Sequence, residues 1–72
     1  MIKKAKLLEA ALSRYRSQRD EALAVLEVYL TDAVGIGEHS SLVDEITKWT
    51  QVLSEAEENI ETLHRHYLRK KP

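Results

Sequence analysis

Neither glycine nor proline interrupts residues 3–33 or residues 40–71, and both glycines of the chain, Gly35 and Gly37, fall between these runs. Glycine and proline are the residues least tolerated inside a helix. Two uninterrupted runs of about 30 residues therefore predict two long helices, each about 45 Å in length at 1.5 Å per residue. The apolar spacing agrees. In the second run Leu42, Ile46, Trp49, Leu53, Ala56, Ile60, Leu63 and Tyr67 alternate by four and three, which is a heptad seam. In the first run Ala5, Leu8, Leu12, Tyr15, Arg19, Ala22, Leu26, Tyr29 and Ala33 do the same, and Arg19 alone breaks the apolar pattern.

Folding the runs back on each other at the glycines gives one register. With Leu26 opposite Trp49, Ala33 meets Leu42, Tyr29 meets Ile46, and Ala22 meets Leu53. Toward the termini Arg19 meets Ala56, Tyr15 meets Ile60, Leu12 meets Leu63, and Leu8 meets Tyr67. Small residues face large ones in several layers, which suits interdigitated packing. Arg19 opposite Ala56 has room to reach solvent or Glu57. The expected fold is all-α: a single helical-hairpin domain over residues 1–72, antiparallel and coiled-coil-like. Helix 1 covers about 3–34, a loop 35–39, and helix 2 about 40–70.

The loop, "VGIGEHSS" at 34–41, carries most of the chemically varied residues. Turn chemistry accounts for nearly all of it. Gly35 suits the left-handed position that ends a helix, and Ile36 can fold back on Leu30. Gly37 frees the chain to reverse. Ser40 or Ser41 can cap helix 2, with Asp44 and Glu45 near its positive end. Glu38 and His39 are left over, so a ligand or partner contact through His39 stays open. A dinucleotide fingerprint would need a preceding strand, and the phosphate-binding Lys of a P-loop is missing.

The segment "LEVYLTDAVGIGEHSSLVDEI", residues 26–46, resembles small uncharacterised helical proteins of tailed bacteriophages that carry a Gly-Ile-Gly-Glu-His loop. Those proteins often have Pro directly after the His, where this chain has Ser40. The resemblance implies a phage origin and brings no activity with it.

Several arrangements invite a catalytic or metal-binding reading and do not sustain it. Glu61 and His64 have the Glu-x-x-His spacing of di-iron bundles, but Leu63 occupies the seam and helix 1 has no matching motif. His64 and His66 are two apart and point to different sides of a helix. No His lies near Ser13, Ser17 or Ser54 in the register. We expect no catalytic residues, no metal site and no cofactor, and hence no enzyme. Tyr15, Tyr29, Trp49 and Tyr67 all fall on the seam and read as core rather than as a base-stacking stripe.

With 72 residues and no Cys, the chain can bury only a small core and has no disulfide to reinforce it. Association with another chain is the remaining ordinary route. Apolar residues flank the seam: Leu7, Ala11, Leu23, Val25 and Leu30 on helix 1, and Val43, Val52 and Leu68 on helix 2. Helices with so wide a stripe usually face more than one neighbour. A homodimer forming a four-helix bundle follows, with a heteromeric protein partner as the alternative.

The net charge of −1 hides a separation of signs. Residues 1–19 and 62–72 hold ten Lys and Arg against Glu9, or +9; residues 20–61 hold eleven Asp and Glu against Lys48, or −10. The hairpin would gather the first group at one end. Lys3, Lys4, Lys6, Arg65, Arg69, Lys70 and Lys71 could there bind an anion or nucleic acid. The same separation could instead orient an antiparallel dimer, or simply be a solvated surface. No apolar run reaches the roughly 20 residues of a membrane span, and the N-terminus lacks the apolar core of a cleavable signal. We therefore expect a cytoplasmic protein, in a bacterial host if it is of phage origin.

Overall fold

The computed structural model describes the backbone of residues 2–31 and 39–68, and the side chains of residues 4–31 and 41–68. Helix α1 runs from Ile2 to Thr31 and helix α2 from His39 to Leu63. A π-helical turn, His64–Leu68, follows α2 directly. The two helices pack against each other, and no strand occurs among the described residues. The molecule is a rod of 53 × 23 × 16 Å, its length close to that of one helix.

The helices are antiparallel in the expected register. The Tyr29 hydroxyl donates to Glu45 Oε1 at 3.4 Å, next to the position of its expected partner Ile46. At the far end Leu8 lines a cleft together with Leu63 and Tyr67. A slip of one heptad would carry Tyr29 seven residues away from Glu45.

Burial follows the seam. Leu12, Ala22, Leu26 and Ala56 are buried, and Leu12 is 0% exposed. Tyr15, Arg19 and Tyr29 on α1 are half-buried, as are Ile46, Trp49, Leu53, Ile60 and Leu63 on α2. Two of the four buried residues are alanines, so close helix approach at those layers needs small side chains. Three threonines inside the helices bond their hydroxyls backward. Thr31, Thr47 and Thr50 donate to the carbonyls of Glu27, Val43 and Ile46 at 2.6–2.7 Å. That geometry satisfies the hydroxyl without a tertiary partner.

Four expectations change. Ser40 and Ser41 lie inside the first turn of α2, which is described from His39, rather than ahead of it. Asp44 and Glu45 then fall in the second turn, and the first turn holds no acid; the favourable dipole effect fades over that distance. Arg19 turns neither to Glu57 nor wholly to solvent. Its Nε donates to the neighbouring Asp20 at 3.0 Å, with both side chains about one-third or more exposed. Such a pair contributes about 0–1 kcal/mol. Tyr67 lies on the seam by spacing but is 71% exposed. The π-turn departs from the α-helical spacing there, and the ring stands at the wall of an open cleft.

The expected turn at Gly35–Gly37, the Ile36 contact and the Ala33–Leu42 pair lie outside the described residues.

Leu12→Ala is expected to cost about 2–5 kcal/mol, the range for a fully buried leucine. Leu53→Ala, at a half-buried site, should cost distinctly less. Urea denaturation of both variants at equal chain concentration checks the order.

Candidate interaction surface

Antiparallel packing brings the start of α1 beside the end of α2, and the charge separation becomes spatial. Lys4, Lys6 and Arg65 are exposed at that end. Arg65 and His66 lie in the last helical turn, where the helix dipole favours cations. Lys3, Arg69, Lys70 and Lys71 belong to the same end by sequence, but their side chains lie outside the described residues. Toward the other end, Glu27 and Asp44 are exposed and Glu45 is half-buried.

The flanking apolar residues divide into two groups. Ala11, Val25 and Val52 are half-buried, so the hairpin already covers part of each. Leu7 (71%), Leu30 (66%) and Val43 (60%) are largely open to solvent, and Leu23 and Leu68 are exposed as well. Val28 is also exposed, and sequence spacing did not single it out. Its seven-residue neighbours are Leu7, Arg14 and Glu21, a mostly polar row that hides a lone valine.

Around Leu7 the surface is concave. Lys4, Ala5, Leu7, Leu8, Leu63, Tyr67 and Leu68 line an open cleft of about 590 Å³. The lining is apolar except for the Lys4 ammonium and the Tyr67 hydroxyl. His66 and Tyr67 stand with ring centroids 6.2 Å apart and planes tilted by 54°. The wall therefore includes the π-turn, a feature often found at functional positions.

The polar features near the other end are local. Lys48, the one Lys or Arg among residues 20–61, places its Nζ 5.3 Å from the centre of the Trp49 ring. This cation–π contact is worth about 0.5–1 kcal/mol at an exposed site. Partial burial raises the Tyr29 phenol above its ordinary value of 10.0, and the charge and hydrogen bond of Glu45 add to the shift.

Among the described residues no group of three or more His, Asp or Glu side chains could hold a metal ion. Glu61 and His64 are respectively exposed and half-buried, on opposite sides of the junction between α2 and the π-turn. No described helix is long and apolar enough to cross a membrane. Comparison with family models, with curated proteins and with solved structures gives no match.

Tyr29 should titrate above pH 10.0. Because its folded-state value is raised, its contribution to stability is fully present below pH 10.0 and is lost as pH rises through the folded value. Phenolate absorbance in a Tyr15→Phe/Tyr67→Phe background reads this group alone. Glu45→Gln should move the midpoint down toward the ordinary value, because it removes the carboxylate charge.

Proposed function

We propose that this chain is a small, non-enzymatic protein-interaction module that self-associates. Two hairpins pair as an antiparallel homodimer and form a four-helix bundle. The observation that carries this reading is the row of large apolar side chains left in water by a two-helix fold. Leu7, Leu23, Val28, Leu30, Val43, Tyr67 and Leu68 are all exposed. Large exposed apolar side chains on a small protein often mark interaction sites. A core with one fully buried leucine also leaves the isolated hairpin short of the burial that usually stabilises so small a domain.

Charge supports the antiparallel arrangement. Parallel pairing would set ends of like sign side by side at both poles. Neighbouring helices about 10 Å apart still feel part of that repulsion at a Debye length of about 8 Å. Apolar contact supplies the affinity, and the charges select the orientation. A phage origin belongs to the same reading, supported by the Gly-Ile-Gly-Glu-His loop; residence in the bacterial cytoplasm follows from it.

A second reading has its own support. The basic end, with Lys4, Lys6 and Arg65 exposed, fits phosphate or nucleic acid, although no recognisable base-reading motif accompanies it.

Light scattering behind a sizing column distinguishes the two. The self-association reading expects twice the 8.3 kDa chain mass at high concentration, little changed by an added oligonucleotide. A monomer at every concentration overturns it. A monomer that gains the mass of the oligonucleotide establishes the second reading instead.

A further inference from the structure

Val28 shares a row of α1 with Leu7, Arg14 and Glu21. These residues stand seven apart, so they keep to one side of the helix, with a drift of about 20° per heptad. Leu7 and Val28 close the row with large apolar side chains in water, and Arg14 and Glu21 between them are exposed too. The row is self-complementary. Set antiparallel to a copy of itself, it pairs Leu7 with Val28 and Arg14 with Glu21, and each pairing occurs twice. Neither Arg14 nor Glu21 has an ion-pair partner among the described residues of its own chain.

The neighbouring rows follow the same symmetry. On one side Ala10 and Ala24 lie equally far from Ser17, and on the other Ala11 and Val25 lie equally far from Gln18. The alanines among them let two helices approach closely. Ala10, Ala11, Arg14 and Tyr15 line a hollow of about 260 Å³. The pairing that joins Arg14 to Glu21 brings Val25 of the other copy over Ala10, at this hollow. The row lies about 120° round α1 from the seam by the helical period, so α2 leaves it open.

Resting on the self-association reading, we propose that this face of α1 is the dimer contact. Its occupant is the same face of a second copy, antiparallel, about a two-fold axis between residues 17 and 18. Charge complementarity fixes the direction. Parallel copies would set Arg14 against Arg14 and Glu21 against Glu21. A crossing angle of about 20° keeps the drifting row in contact. The two-fold arrangement uses the whole row of both chains, so assembly closes at the dimer. The two α1 helices lie at the centre and an α2 lies outside each, a flattened form of the four-helix assembly. Leu23 and Leu30 lie on the other flank of the seam by their heptad positions and take no part.

The chain has no Cys, so single cysteines report the contact. Gln18→Cys lies beside the axis and should crosslink to itself with a short bis-maleimide. Ser54→Cys, on α2, should not. Both positions are exposed, so each variant is expected to keep its helical circular dichroism. A dimer by light scattering in which Gln18→Cys gives no self-crosslink overturns this contact and leaves self-association standing. A chain that stays monomeric at every concentration, with or without a bound oligonucleotide, overturns both.

Charge reversal tests the pairing itself. Arg14→Glu and Glu21→Arg each set like charges against each other in both inner pairings, and each should weaken the homodimer about tenfold. Mixing the two variants restores opposite charges there, and so does placing both substitutions in one chain. Either should recover the dimer in a sizing column with light scattering. Single reversals that leave dimerisation unchanged overturn the proposal. So does a double variant that keeps its helical circular dichroism and fails to recover the dimer.

Discussion

Two helices lying side by side can bury only the strip along which they touch, and every other property of this hairpin follows from that constraint. The strip here is closed at Leu12, Ala22, Leu26 and Ala56. Around it lies a margin of half-buried residues, and beyond the margin large apolar side chains stand in water. The alanines matter as much as the leucines. At Ala22 and Ala56 a small residue lets the backbones approach, and larger side chains on either side reach across the gap. A hairpin so built has a continuous seam but no enclosed interior, which is why association is the natural way to complete it.

Electrostatics acts on this scaffold at a different level. The described ion pair, Arg19 with Asp20, is exposed and contributes little to stability. Tyr29 and Glu45 share a side-chain bond between the helices, and at 3.4 Å it is long. Neither contact holds the fold together. The larger effect is collective: antiparallel packing converts two like-charged stretches of sequence into two poles of a rod.

The seam was legible because heptad spacing is a property of the chain itself. Three of the four buried residues, Leu12, Ala22 and Leu26, stand in an alternation of three and four that can be counted without coordinates, and Ala56 stands in its counterpart. The register was legible too, since one pairing satisfies every layer and places Tyr29 within reach of Glu45. The candidate site was legible in part. Leu7, Leu23, Leu30, Val43 and Leu68, marked by their flanking positions, are exposed, whereas Ala11, Val25 and Val52, marked in the same way, are half-buried. Flanking residues of equal polarity are covered to different extents by the partner helix, and sequence does not record that difference. Helix starts were less legible, because several polar residues near 38–41 can each cap a helix and only backbone geometry selects among them.

By itself the sequence determined two helices, their antiparallel pairing and the segregation of charge. Those properties follow from residue spacing, from the placement of Gly35 and Gly37, and from the order of acids and bases along the chain. The tertiary structure decided that Ser40 and Ser41 lie inside α2, and it decided the Arg19–Asp20 contact and the π-turn at His64–Leu68. It also decided that Tyr67, a seam residue by count, lies largely in water and walls a cleft with Leu7 and Leu8. The physical reason is that spacing fixes the direction in which a side chain leaves its helix, but coverage depends on what stands opposite. At Tyr67 the π-turn changes that direction, and a residue facing inward by an α-helical count meets solvent.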